Sequence, residues 1–340
     1  MNYKDVLKNA RENLNGSCRV CKVCDGKACV GEVPGMGGKS TGSAFMENIN
    51  ALEKYKINMR VIHDVKDPKL SVDIFGKNIK LPVFAAPVTG TVLNMGGKLT
   101  EKEYIHSVIE GCVNSEIYTM VGDSALDSFL IDNLEEVKEF NGQGIAIIKP
   151  WENKNVIEKI KMAEAAGCYA VGMDIDACGL ITLAMHGKPV YPKTVDEIKE
   201  IVESTKLPFI LKGIMTIDEA KLAVETGADA IVVSNHGGRV LDQTPGVAEV
   251  LPEIAKAVKG KIKIFADGGV RNGVDILKMI ALGADAVLIG RPFVTASFGE
   301  GSEGVKSYID TLYNDLKVAM ILTGCKSIED IDERIIYKNR

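Results

Sequence analysis

From residue 81 onward the chain keeps one beat. A short apolar run is followed by a polar loop and then an amphipathic stretch, and the pattern comes round eight times. The apolar runs are Leu81–Ala86, Glu116–Val121, Gly144–Lys149, Tyr169–Ile175, Pro208–Lys212, Ala230–Ser234, Ile262–Ala266 and Ala284–Ile289. Their apolar residues are continuous rather than alternating, which predicts parallel strands covered on both faces. Between them, Asn155–Ala166 carries apolar side chains near a 3.6-residue period, and Ile217–Thr226 does the same behind a Thr216 cap and before Gly227. Ala228-Asp229-Ala230 and Ala284-Asp285-Ala286 repeat one helix-to-strand junction, each after a glycine. Eight such units predict an α/β fold of TIM (β/α)8 type. An open doubly wound sheet is the alternative. Residues 1–80 precede the first strand and are expected to form an N-terminal, helical, Cys-containing extension packed on a barrel of residues 81–340. Within it, Asp5–Leu14 and Gly42–Tyr55 read as helices. Gly31–Gly42, with five glycines and Pro34, reads as loop.

Function in such a barrel collects at the carboxyl ends of the strands. After Ala230-Ile231-Val232-Val233 comes Ser234-Asn235-His236-Gly237-Gly238-Arg239-Val240-Leu241-Asp242. This places a base, two permissive glycines and a fixed cation at one strand end. Arg239 suits a carboxylate, and His236 suits proton removal beside it. The bland alternative is a polar turn with a solvated arginine. Lys212 ends the fifth run, where an amine is costly unless it meets negative charge, or else snorkels. Asp267-Gly268-Gly269-Val270-Arg271 and Gly290-Arg291-Pro292 end the seventh and eighth runs. Glycines, helix-start N–H groups and two arginines there predict a phosphate cradle. Asp176, past the fourth run, could orient a histidine across the mouth or merely cap a turn.

A net charge of −5 with mixed signs shows no basic stripe, so nucleic acid is not an expected partner. No run of 18 apolar residues predicts a membrane span, and the first residues lack the apolar core of a signal peptide, so a cytoplasmic location is expected. Of the eight cysteines, Cys112, Cys168, Cys178 and Cys325 are expected to be buried, reduced and inert. Cys18, Cys21, Cys24 and Cys29 crowd into twelve residues as C-x2-C-x2-C-x4-C. That is one residue off the ferredoxin-like spacing and lacks its following proline. An iron–sulfur cluster, zinc, redox thiols and inert thiols all remain open.

These segments resemble the FMN-dependent 2-hydroxy-acid oxidases and dehydrogenases, the glycolate oxidase and lactate oxidase group, from about residue 42 to the end. The likeness is most specific in Leu211-Lys212-Gly213, Ser234–Asp242, Ala266–Arg271 and Ile289–Pro292. It implies FMN and a 2-hydroxy acid oxidised to a 2-oxo acid. It implies that His236 is the base, Asp176 its partner and Arg239 the carboxylate anchor. Lys212 would stand beside the flavin, and Pro87 and Val88 would lie against its ring. Ser234, Asp267, Gly269, Arg271, Gly290 and Arg291 would bind the rest of FMN. Oxygen or a redox carrier would take the electrons, and a homo-oligomer is expected. Three departures concern the substrate side. Ile147-Ile148-Lys149-Pro150 stands where the group has Gln-x-Tyr, Ala177–Pro192 has no arginine, and Gly35-Met36-Gly37-Gly38 replaces an N-terminal tyrosine. Two rival readings are an FMN-dependent isopentenyl-diphosphate isomerase and a non-catalytic flavin and thiol sensor.

Overall fold

The computed structural model describes residues 3–14, 16–188 and 190–337. Eight strands form a closed parallel barrel in sequential order. They are β1 (Val83–Ala85), β2 (Tyr118–Gly122), β3 (Gly144–Ile148), β4 (Ala170–Asp174), β5 (Phe209–Ile214), β6 (Ala230–Val233), β7 (Lys263–Ala266) and β8 (Ala286–Ile289). Closure is made by β8 on β1, with Val287 beside Val83 and Ile289 beside Ala85. That pairing excludes the open sheet. The eight strands follow the eight apolar runs, and every residue of β3, β4, β6 and β8 is buried, as continuous hydrophobicity requires.

Each strand departs from its run by one or two residues at one end or both. The first strand is shorter than Leu81–Ala86, because Leu81 and Pro82 lead in as a bend. The fifth does not stop at Lys212. It continues to Ile214 through a bulge, where Gly213 has φ +110° and the pairing steps from Lys212–Val232 to Ile214–Val233. The bulge turns the end of the strand while Lys212 stays in the ladder.

Phe84, Met120, Ile145, Ile210, Phe265 and Leu288 belong to the cluster that fills the barrel. A hairpin, Val72–Ile74 with Lys77–Ile79, plugs its amino end. Ile74 and Ile79 join that core, and Phe75 packs on Tyr169 and Phe265. The hairpin was not foreseen. Its strands are three residues each, too short to carry a period. Surrounding helices pack on the outside. Thr216 caps Ile217–Glu225 by accepting from the Glu219 N–H, as its sequence predicts.

The extension contributes α1 (Tyr3–Asn13) and α2 (Ser43–Lys54). α1 lies on the C-terminal helix Arg291–Thr323, which breaks at Glu300–Gly301, and Tyr3 stacks on Tyr308 at 5.4 Å. α2 lies at the carboxyl end of the barrel, against the loops after β6 and β7. Asn48 Nδ2 donates to Asn235 Oδ1, and Asn48 Oδ1 accepts from Val247 N–H. Among the described residues no helix is long and apolar enough to cross a membrane. Cys112, Cys168 and Cys325 are buried, but Cys178 is exposed, because its short turn after β4 rides outward at the mouth.

Candidate active site

The strand ends converge as the pattern requires. Asp174 is the last residue of β4, and its buried carboxylate receives two lysines. Lys149, one residue past β3, donates to Oδ2 at 2.6 Å. Lys212 donates to Oδ1 at 3.0 Å. Burial alone would raise the Asp174 pKa, but His236, Lys149 and Lys212 together hold it well below the ordinary carboxylate range. Burial alone would strip the proton from Lys212, and the carboxylates of Asp174, Asp176 and Asp267 reverse this and hold the amine charged. Lys149 was noted only as a departure in the sequence, and Asp174 was passed over in favour of its neighbour. A lysine closing a wholly apolar strand was the available signal for Lys149.

Beyond β6 the backbone turns sharply. His236 has φ +56°, a left-handed conformation that costs energy for a residue with a Cβ, and Gly237 and Gly238 follow in the same region. Ser234 Oγ accepts the His236 N–H at 3.0 Å and donates to Asp267 Oδ2 at 2.8 Å. The turn aims the imidazole at the 3₁₀ segment Ile175–Gly179. There Nδ1 meets Asp176 Oδ1 at 2.9 Å, with Asp174 Oδ1 at 3.5 Å. Asp176 is therefore a histidine partner in this geometry and not merely a turn cap.

Arg239 folds inward rather than into solvent. It donates through one guanidinium nitrogen to the Gly35 and Gly37 carbonyls at 2.6 and 3.2 Å, and through the other to Asn94 Oδ1 at 2.9 Å. Arg291 donates to the carbonyls of Met36, Gly37 and Gly237 and stacks on Phe45 at 3.8 Å. None of these hydrogen-bond partners is an anion. Burial, with the Arg291 charge nearby, pushes Arg239 down to about 9, and burial, with the Arg271 charge nearby, pushes Arg291 down to about 10. Arg271 donates to its neighbour's carbonyl, Val270 O, and to Cys24 O.

One cleft joins these groups. Pro87, Val88, Lys212, His236, Arg239, Asp267, Gly269, Arg271, Gly290 and Arg291 all line it, together with Lys149 and Asp174. Ser234 and Asp176 stand one layer behind and brace Asp267 and His236. The cleft fits a flavin mononucleotide by its donors. Asp267 Oδ1 and Arg271 Nε are buried without a partner. Gly268 and Gly269 hold positive φ at 80° and 90° in the loop after β7. The lining counts five fixed cations (Lys149, Lys212, Arg239, Arg271, Arg291) against three carboxylates (Asp123, Asp174, Asp267). The cations on the wall outnumber the carboxylates by two, and Arg239 and Arg291 hydrogen-bond to no anion, which suits an anionic guest.

Behind Arg271 and Arg291 lies a second cavity of about 490 Å³, lined by Cys18, Cys21, Cys24 and Cys29. The thiols are spread over its wall. Among the described residues no three metal-binding atoms that include a cysteine lie within 4.8 Å of one another. The expectation of a zinc cage is not met, since a single ion would need its four ligands drawn to one point.

The sequence profile of the FMN-dependent dehydrogenases matches residues 35–188 and 184–338. The chain belongs to this family. The 2-hydroxyacid oxidase of Dictyostelium discoideum is 31% identical over 333 residues, which span 88% of this chain and 84% of that protein. The 4-hydroxymandelate oxidase of Amycolatopsis orientalis is 31% identical across 86% of this chain and 89% of its own. A solved structure of mandelate oxidase with benzoyl-formic acid superposes with a TM-score of 0.81 at 29% identity, covering 99% of this chain and 98% of the other. The family member described here is thus an FMN-dependent flavoenzyme of the 2-hydroxy-acid oxidase group on a TIM barrel.

Proposed function

We propose that the cleft oxidises a 2-hydroxy acid to the 2-oxo acid, with His236 as base and Arg239 as the carboxylate anchor. The observation that carries this reading is the His236–Asp176 contact of 2.9 Å at the cleft wall. With Nδ1 committed to a carboxylate, Nε2 is the nitrogen left for the substrate proton, and the imidazolium that forms faces Asp176 and Asp174 together. Asp176 orients the ring and stabilises its charged form. Arg239 meets the substrate carboxylate with the donor directions its neutral partners leave over. Met36, Leu180 and Leu183 line the cleft as apolar surface for the substrate's side chain.

Asp267, Gly269, Arg271, Gly290 and Arg291 would hold FMN along its ribityl and phosphate, with Pro87 and Val88 against the ring. Bound FMN supplies the two-electron acceptor. Lys212, braced by Asp174 and Ser234, keeps positive charge where the reduced ring is anionic. Lys149 adds a second cation there, in place of the amide that related enzymes carry. The relatives are named as oxidases; for this chain oxygen or a redox carrier takes the electrons. Residues 1–80 act as part of the same unit, since α2 backs the phosphate loops.

Anaerobic mixing of the FMN-loaded protein with a panel of 2-hydroxy acids tests the reading. One or more should bleach the flavin absorbance. His236→Ala should keep its FMN and slow bleaching by about 100-fold or more. A wild-type protein that no hydroxy acid bleaches, or a His236→Ala variant that bleaches as fast, refutes the assignment.

A further inference from the structure

We propose that Cys18, Cys21, Cys24 and Cys29 hold a polynuclear iron–sulfur cluster in the cavity beside the flavin cleft. A pocket of about 490 Å³ opens between the extension and the barrel, with all four thiols on its wall and room for a guest. No three of the thiols gather within 4.8 Å, which argues against one zinc ion and leaves room for a larger polynuclear guest. A cluster's irons stand apart around bridging sulfides, so its ligands do too. The spacing C-x2-C-x2-C brings three thiols from one short loop, and Cys29, the last residue of the 3₁₀ turn Lys27–Cys29, lines the same pocket.

The wall is matched to a guest of negative charge. A cluster held by four thiolates carries net negative charge, and two arginines stand against it. Arg271 Nη2 lies 3.6 Å from Cys24 Sγ. Arg291 lines the same wall. On the other side Tyr3, Leu7 and Tyr308 present mainly apolar surface, which shields a cluster from water.

The location gives the cluster a task, and this part rests on the flavin reading above. Met36, Phe45, Gly269, Arg271 and Arg291 line both the cleft and the cavity, so one layer of side chains separates them. Oxidising one hydroxy acid breaks its C–H and O–H bonds and releases two electrons and two protons. The cluster takes the electrons from the flavin one at a time, a ferric centre becoming ferrous at each step. It passes each to an external one-electron carrier protein, while the protons go to water. Two carriers are reduced per 2-oxo acid formed.

The test is anaerobic purification of the full chain with its FMN, followed by iron, sulfide and zinc analysis and by electron paramagnetic resonance after dithionite. About four irons and four sulfides per chain, with a cluster signal, are expected. Cys18→Ser and Cys21→Ser should lose iron and signal yet keep FMN and still bleach with the hydroxy acid. They should also lose electron transfer to oxidised cytochrome c, used as the carrier probe. Retained FMN shows that these variants fold. Wild-type protein that holds neither iron nor sulfide and takes up neither on reconstitution overturns the proposal. Stoichiometric zinc, or disulfides among the four cysteines by mass spectrometry, does the same. Iron and sulfide in a protein that no hydroxy acid bleaches uphold the cluster and overturn the oxidase reading instead.

Discussion

Replacing Asp176 by asparagine isolates one charge in the proposed base. The Asp176 carboxylate stands 2.9 Å from His236 Nδ1, and Asp174 stands 3.5 Å away on the same side. When His236 takes a proton, the imidazolium gains a charge-assisted hydrogen bond to Asp176, worth about 1.5–3 kcal/mol. Asparagine keeps the shape and a neutral hydrogen bond but loses the charge. The neutral bond retains about 0.5–1.5 kcal/mol, so about 1–1.5 kcal/mol is lost, and at about 1.4 kcal/mol per tenfold flavin reduction should slow by roughly 5- to 13-fold. In a serine protease, loss of the aspartate behind the histidine costs about 10⁴-fold. The smaller effect is expected here because Asp174 remains as a second carboxylate. The assay is anaerobic stopped-flow bleaching of the FMN-loaded variant under saturating hydroxy acid. FMN content should match wild type, since Asp176 stands behind the cleft wall. Reduction within about threefold of wild type would refute the orienting role, because removal of a working counter-charge cannot cost less than about 0.7 kcal/mol. A loss as large as that in the protease would show that Asp174 does not share the imidazolium.

Three further outcomes follow from the same geometry. Gly269→Ala puts a methyl 2.5 Å from Asn48 O at a residue with φ +90°, so the phosphate loop must shift. Flavin absorbance per chain after desalting should fall steeply while the melting temperature drops by no more than about 1–3 kcal/mol implies, and full retention of FMN contradicts the cradle. Lys149→Met removes one of the two buried cations beside the flavin, and should weaken sulfite binding to oxidised FMN by about tenfold or more, whereas unchanged affinity means Lys149 does not face the ring. Asp174→Asn leaves Lys149 and Lys212 buried without their counter-charge and should cost about 3–5 kcal/mol at neutral pH. The folded Asp174 pKa is depressed, so the unfolded chain binds more protons between the two values, and stability rises with pH there. Measured by denaturant melts, the gap from wild type should be full above the ordinary aspartate value of about 3.9 and shrink as pH falls toward the folded value; a gap that grows on acidification is the wrong sign.

The convergence of the site residues on one cleft is legible in the sequence because each sits within a few residues of a strand end. Lys212, His236, Asp267–Arg271 and Gly290–Arg291 each follow an apolar run, and a closed barrel puts strand ends on one rim whatever lies between them. The pairing of His236 with Asp176 rested on that rim as well as on resemblance. What stayed hidden depends on contacts that span the chain. Arg239 has an anchoring cation's identity, but its hydrogen bonds go to Gly35, Gly37 and Asn94, 145 to 204 residues away. Asp174 and Asp176 lie two residues apart, and no periodicity says which takes the lysines and which the histidine. The bulge at Gly213 decides this in part, since a Cβ there would press on the Asp176 side chain at 2.7 Å.

The glycine loop that replaces the family's tyrosine explains how the extension and the cleft act as one. Gly37 is pressed against the Cys29 carbonyl so closely that a Cβ there would collide with it. Its own carbonyl accepts from both Arg239 and Arg291. The backbone of the cysteine loop therefore fixes the backbone that fixes Arg239 and Arg291. The carbonyls of Gly35, Met36 and Gly37 hold two guanidiniums that have no anionic hydrogen-bond partner. Positioning by carbonyls leaves the positive charge of both arginines unspent, so phosphate and carboxylate bind against cations already in place. Because Arg291 also borders the thiol cavity, a negatively charged guest there would compete for the same field. It would lower the net positive charge felt in the cleft and so couple the state of the four thiols to how firmly FMN is held.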